Sequence, residues 1–331
     1  MVQELITVRS GKINDYIHHI DLHEFGMRRI LSSYIGEFDN TSVVLDSGSS
    51  IEVKRIWRYA NKNKIPLSSF KYLIPTHHHF DHAGGMWKLH EKIKEYNPEV
   101  KILTNTLTKD LLNDSEYHIG RARRTYDDFV GEMRPINEKA FKIIEPTENF
   151  TEDLNSFDIV DTFTDKGSEV KLAVIKTPGH TYDHQCSVFI KDGEIDFIHL
   201  GEAIGTIYHS TELLSMPTSM PVYFNYKNYM ETLDKLKKLD PIKVGFGHFG
   251  VINGKENVHK FVEEHESSMK EFRSLVIKYY KEKPETKHVF KKLIPYFIKK
   301  TDISGEDGLA LQNIILGVVY GMMMDLKYRD D

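Results

Sequence analysis

The sequence predicts an α+β protein: a mixed body of alternating strands and helices, followed by an all-helical tail. Three observations carry that reading. Short β-rich runs alternate with segments of helical period through the first 250 or so residues. The dipeptide Asp192-Gly193 stands between two apolar runs, which is a two-residue hairpin signal. From about Gly254 the strand signals stop and three long helical segments follow. The implied layout is a body over residues 1–254, with a helical insertion at about 105–150, and a helical region over 255–331.

Taken in order, residues 13–20 and 30–35 read as short extended stretches, and 42–46 as a stronger strand ending in Ser-Gly-Ser-Ser. Ser49 with Glu52 forms a capping box, and Val53, Ile56, Trp57 and Ala60 then fall on one helical face. Residues 70–74 form an apolar strand closed by Pro75-Thr76, a His-rich loop follows, and 86–96 reads as a helix. The polar stretch 117–134, with Arg121, Arg123 and Arg124, reads as a helix whose arginines face solvent. Strands are expected at 169–176, 185–191, 194–200 and 242–246, and a helix through Tyr226, Met230, Leu233 and Leu236. The tail divides into helices at 257–283, 287–300 and 304–328, punctuated by Pro284 and Ser304-Gly305.

Composition narrows the function. Of 331 residues, 40% are hydrophobic and 28% charged, the balance of a globular chain with a real core. The net charge of −5 argues against a broad nucleic-acid footprint. The longest apolar run, 314–324, is half of what a membrane span needs, about twenty residues. With no signal-peptide pattern at the start, a cytoplasmic location is expected. The single Cys186 excludes a disulfide framework and any multi-cysteine metal site. The 17 histidines direct attention to metal binding and proton transfer.

The decisive stretch runs from Thr76 to Gly85. His77, His79, Asp81 and His82 make an H-x-H-x-D-H pattern within it. Residues two apart in an extended loop point the same way, so His77 and His79 can grip one cation, while Asp81 and His82 address a second beyond the turn. Imidazole and carboxylate without thiolate suit Zn, Fe, Mn or Co better than Ca or Mg. Three later positions follow strands: His180 in Thr177-Pro-Gly-His-Thr, Glu202 after Gly201, and His248 in Gly247-His-Phe-Gly. Loops at strand ends are where sites gather.

These motifs, with Asp46-Ser-Gly48 ahead of them, resemble the metallo-β-lactamase superfamily of metallohydrolases, in its glyoxalase II-like branch. The resemblance implies a four-layer αβ/βα sandwich with a dinuclear site at one edge. It implies that His77, His79 and His180 hold one metal and that Asp81, His82 and His248 hold the other. An acid at position 202 would bridge them, and Asp46 would brace the His loop from behind. The family carries Asp at the bridging position; this chain has Glu202, longer by one methylene.

The function expected is a metal-dependent hydrolase with two divalent transition-metal ions, zinc first, with iron or manganese as alternatives. Hydroxide generated at the centre would attack a thioester, lactone or phosphoester, with Asp81 as the catalytic residue that orients it. The partner is a small anionic or ester-type molecule, with no nucleic acid, no membrane and a possible homodimer through the C-terminal helices. Alternatives on the same fold are a di-iron oxygen-binding or redox protein, against which His79 counts because such relatives have Glu there, and a metal-containing sensor or effector. Among the remaining residues, His78 points away from the centre and His184 and Tyr182 lie on loop surface. His18, His19, His23, His90, His259, His265 and His288 read as surface or boundary residues. Tyr208, His209 and residues 216–224 are candidates for the pocket wall.

Overall fold

The computed structural model describes residues 4–303 and 308–330. The strands, in chain order, are β1 (Ile6–Thr7), β2 (Gly11–Lys12), β3 (Ile17–Asp21), β4 (Ser32–Glu37), β5 (Ser42–Leu45), β6 (Phe70–Ile74), β7 (Lys101–Thr104) and β8 (Phe141–Ile143). They continue with β9 (Ile159–Asp165), β10 (Ser168–Lys176), β11 (Gln185–Lys191), β12 (Glu194–Gly201), β13 (Thr206–Ile207), β14 (Ser215–Met216), β15 (Lys243–Phe246) and β16 (Val251–Asn253). The helices are α1 (Lys54–Lys62), α2 (Phe80–Ala83), α3 (Met86–Lys94), α4 (Thr106–Asn113), α5 (Glu116–Tyr126), α6 (Tyr226–Leu236), α7 (Lys255–Glu282), α8 (Thr286–Ile298) and α9 (Gly308–Asp325).

Two seven-stranded mixed sheets result, ordered β2-β3-β4-β5-β6-β7-β8 and β1-β16-β15-β12-β11-β10-β9, with β13-β14 as a separate ribbon. The period-two alternation of the strands sets the layers. Val43 and Leu45 of β5, Tyr72 and Ile74 of β6, and Leu172 and Val174 of β10 enter one core between the sheets. Their neighbours face outward: Val44 and Leu73 pack under Ile56 and Ala60 of α1 and Leu89 and Ile93 of α3. On the other side, Ala173 and Ile175 join Leu233 of α6, Phe261 and Phe272 of α7, Leu293 of α8, and Ile315 and Met322 of α9. Helix, sheet, sheet and helix are thus four layers, as expected.

Several boundaries differ from the sequence reading. The Ser49–Glu52 side-chain contact forms, but it stabilises the turn before α1, which starts only at Lys54 without a side-chain cap. The helix expected over 117–134 ends at Tyr126, where Asp127 takes a left-handed conformation. The stretch at 105–150 is not wholly helical, since β8 lies in it and pairs in parallel with β7. Strands β7, β8, β9 and β16 had no counterpart in the reading. The Ser304-Gly305 start suggested for the last helix lies outside the described residues. Of the apolar residues of the tail, Leu311, Ile315, Val318, Val319 and Met322 are buried within the chain and Ile314 is half-buried. Among the described residues no helix is long and apolar enough to cross a membrane.

Candidate metal centre

Five strand ends converge on one edge of the sandwich. β5 delivers Asp46, β6 the loop of His77 and His79, β10 His180, β12 Glu202 and β15 His248. Asp81 and His82 lie in the short helix α2, for which His79 is the N-terminal cap position.

Four of the five imidazoles are held from behind. Asp46 accepts from Thr76 N at 2.7 Å and from His82 Nδ1 at 2.8 Å. Thr76 Oγ1 donates to the same carboxylate, so it accepts from His77 Nδ1 at 3.0 Å. His180 Nδ1 donates to Thr218 O at 2.6 Å and His248 Nδ1 to Ile30 O at 2.8 Å. With Nδ1 committed, the Nε2 atoms of these four rings turn inward, where that of His180 lies 3.2 Å from His79 Nδ1. Such backing fixes ring orientation and tautomer.

The inward atoms form two groups. Those of His77, His79, His180 and Glu202 all lie within 4.8 Å of one another, and so do those of Asp81, His82 and His248. Glu202 stands between them. Its Oε2 is 2.8 Å from His180 Nε2, 3.7 Å from His77 Nε2 and 3.4 Å from His82 Nε2, and its Oε1 is 4.0 Å from His248 Nε2. Asp81 Oδ2 is 3.5 Å from His248 Nε2 and 3.6 Å from His82 Nε2. The structure therefore brings together all seven residues singled out in the sequence.

The close approach needs glycine at two places. Gly201 has φ +52°, and a Cβ there would meet His184 Nε2 and Thr76 Cγ2 at 2.8 Å. A Cβ on Gly247 would lie 2.3 Å from His82 Cε1.

The donor set fits a transition metal. His77 Nε2 and His82 Nε2 are buried with no hydrogen-bond partner among the described residues, a costly state for polar atoms unless a ligand takes their lone pairs. Burial first, then the neighbouring rings, holds the pKa of His77 and His79 well below the ordinary value, which keeps them neutral as metal ligands must be. Burial works against charge on His82, but Asp81 and Asp46 outweigh it and raise its basicity. Burial opposes ionisation of Glu202, yet His180 and its neighbours hold its carboxyl well below the usual range.

Residues that carried no motif complete the setting. His184, expected on the surface, is buried: it accepts from Glu202 N at 3.2 Å and donates to Thr177 Oγ1 at 2.7 Å. Tyr182 is exposed. His78 turns aside to Asp183, whose carboxylate it meets at 2.9 Å. His118 of α5 accepts from Phe80 N at 2.9 Å and stacks on His79 with centroids 5.1 Å apart. His199 is buried 3.6 Å from Asp46. His18, His19, His90 and His265 are buried rather than superficial, because strand and helix faces turn them inward; His23, His259 and His288 are intermediate.

A cavity of about 550 Å³ opens over Asp81, Glu202, His79 and His248. Tyr208 and most of residues 217–223 line it, whereas His209 does not. Arg121 and Arg124 also reach it; Arg123 instead donates to Gly131 O at 3.0 Å.

The profile of the metallo-beta-lactamase superfamily matches residues 26–248, which include all seven converging residues. The chain belongs to that superfamily. Among its relatives, the metallo-beta-lactamase fold-containing protein ST1585 of Sulfurisphaera tokodaii is 26% identical over 259 residues, which cover 76% of this chain and 84% of that protein. The crystal structure of ST1585 covers 93% of this chain and 98% of its own, at TM-score 0.62 and 22% identity. The metallo-beta-lactamase family protein TTHA1429 of Thermus thermophilus shares the fold at TM-score 0.59 and 15% identity, covering 90% of this chain and 88% of its own. A shorter match, 35% identical over 72 residues, is to a hydroxyacylglutathione hydrolase of Idiomarina loihiensis; it covers 20% of this chain and 26% of that protein.

Proposed function

We propose that the chain is a metal-dependent hydrolase that uses two divalent transition-metal ions of the zinc, iron or manganese class to cleave a thioester, lactone or phosphoester. The observation that carries this reading is the pair of donor groups that meet at Glu202. His77, His79 and His180 would hold one ion, Asp81, His82 and His248 the other, and Glu202 would bridge. Ions held there would polarise an ester oxygen and lower the pKa of bound water to about 7.

The other tasks belong to the chain. The backing hydrogen bonds of Asp46, Thr76, Thr218 and Ile30 keep the rings in place without rearrangement. Of the two acids of the centre that line the cavity, Asp81 is the more exposed, at 16% of its side chain against 6% for Glu202, so it would orient the attacking water and take its proton. His118, stacked on His79, keeps that ring's plane. Two carboxylates against two divalent cations leave the centre positive, which favours an anionic or ester-type oxygen. The cavity shields the reacting group from bulk water.

The short match to a hydroxyacylglutathione hydrolase supports placing thioesters first in a substrate panel. The test is hydrolysis of thioesters, lactones and phosphodiesters by the purified chain before and after chelation. Turnover of one class that chelation abolishes and added metal restores is expected. Turnover that survives complete metal removal contradicts the reading.

A further inference from the structure

The cavity holds one carboxyl that the reaction outlined above does not use. Glu24 lines it, is only 1% exposed, and has its Oε1 buried with no hydrogen-bond partner among the described residues. A carboxyl out of water and unpaired is unfavourable, so its retention calls for a partner that arrives later.

The segment that carries it is built to hold it in place. Glu24 lies in the turn between β3 and β4, flanked by His23 and Phe25, both in the left-handed region at φ 53°. Non-glycine residues held there gather at ligand clamps and similar sites. Asp21 anchors the turn by accepting from His23 N at 3.2 Å and from Arg29 N at 3.0 Å. Phe25 stacks on Tyr126 of α5, with centroids 5.2 Å apart and planes at 13°. Phe25 thereby ties the turn that carries Glu24 to α5, whose Tyr126 also lines the cavity.

Its charged surroundings do not satisfy it. Burial first, and then Asp81, Glu52 and Glu202, push its pKa well above the ordinary carboxyl value, with His82 opposing. No lysine or arginine of the described residues pairs with it.

We infer that Glu24 determines specificity, its carboxyl accepting a hydrogen bond from an O–H or N–H of the substrate next to the scissile bond. This rests on the reading of the cavity as the substrate site of a hydrolase. The substrate class is then narrower than esters at large: it carries a hydroxyl or amide donor on the acyl side, within reach of both Glu24 and the metal-ligand groups. A site built around a buried acceptor discriminates against an analogue that lacks the donor, because the acceptor is then left unpaired.

The test uses metal-loaded full-length chain and three N-acetylcysteamine thioesters: butanoyl, 2-hydroxybutanoyl and N-acetylglycyl. The free acids are measured alongside by calorimetry, which needs no turnover. Wild-type protein is expected to favour at least one donor-bearing member over butanoyl by tenfold or more, in kcat/KM and in affinity. The hydroxy and amide arms tell which donor fits. E24L should bring that ratio near one, and E24Q, which keeps the shape and one acceptor oxygen, should lower it severalfold, both with unchanged metal content. Equal ratios in wild type and both variants would mean that Glu24 meets only water, and loss of a metal in E24Q would make it a ligand; either overturns the inference. If no thioester turns over while the donor-bearing acids still bind in a Glu24-dependent way, the thioester arm of the hydrolase reading fails and the recognition by Glu24 stands.

Discussion

Glu202 shows how much one methylene changes and how the chain accommodates it. Its carboxylate reaches three rings at 2.8–3.7 Å because Gly201 turns with positive φ and His184 accepts the Glu202 amide. Removing its charge should uncouple the two ion sites. We expect E202Q to weaken binding of the second metal by tens- to a hundredfold, the scale typical even of supporting residues, and E202D to be milder. Competition against a calibrated chelator measures this; unchanged affinity in E202Q would remove Glu202 from the centre. Cys186 offers a contrasting case. Burial pushes its thiol up to about 12, so it should not react with iodoacetamide at pH 8 unless the chain is unfolded. Alkylation of native protein, read by mass spectrometry, would contradict that. The residues that sequence made legible are those whose spacing encodes the chemistry, His77 through His82. His118, His184, Asp183 and Glu24 were not legible, because a lone side chain in a loop or a polar helix gains its role only when another element folds over it.

At the scale of elements, α7 is tied to the site through a chain of buried polar groups. His265 of α7 contacts Ser215 Oγ on one side and Tyr229 OH at 2.8 Å on the other, and Tyr229 OH accepts from Gly205 N at 2.6 Å in the Glu202 loop. Burial, with Lys300 adding to it, lowers the pKa of His265 to about 3. The unfolded chain therefore binds a proton below about pH 6.5 that the folded chain refuses, and stability falls as pH drops from there toward 3. The loss from this group is about 1.4 kcal/mol for each pH unit below 6.5. Urea titrations of wild type and H265Q at pH 7.5 and 5.5 should show a smaller pH-dependent loss in the variant. Equal slopes would mean that His265 is protonated in the fold. Among the elements, the central strands were legible because alternation such as Val43, Val44, Leu45 records two buried faces. Strands β7, β8 and β16 span only three or four residues, too few for a period to register, and pairing with neighbours defines them. The capping pair Ser49 and Glu52 misled for a related reason: its local hydrogen bonding suits a turn as well as a helix start.

The whole molecule is an arrangement for bringing five strand ends to one edge and roofing them with helices. The sheets supply Asp46, His77, His180, Glu202 and His248 from rigid strand termini, while α5 and α9 close the cavity above them. The four layers were legible from the order of motifs and their family resemblance. The way α9 reaches the cavity was not, because Gly317 and Val318 line it only once the tail has packed across Ser219, whose Oγ donates to Val318 O at 2.8 Å. The central claim is that this edge holds two metal ions in two separable ligand groups joined by Glu202. Its most direct test is metal analysis of the purified chain beside H180A and H248A. The account predicts close to two transition-metal ions per wild-type chain, with the ion held by His77, His79 and His180 lost in H180A and the ion held by Asp81, His82 and His248 lost in H248A. A fully active wild-type chain that is stoichiometrically metal-free, or two ions retained in both variants, would contradict it.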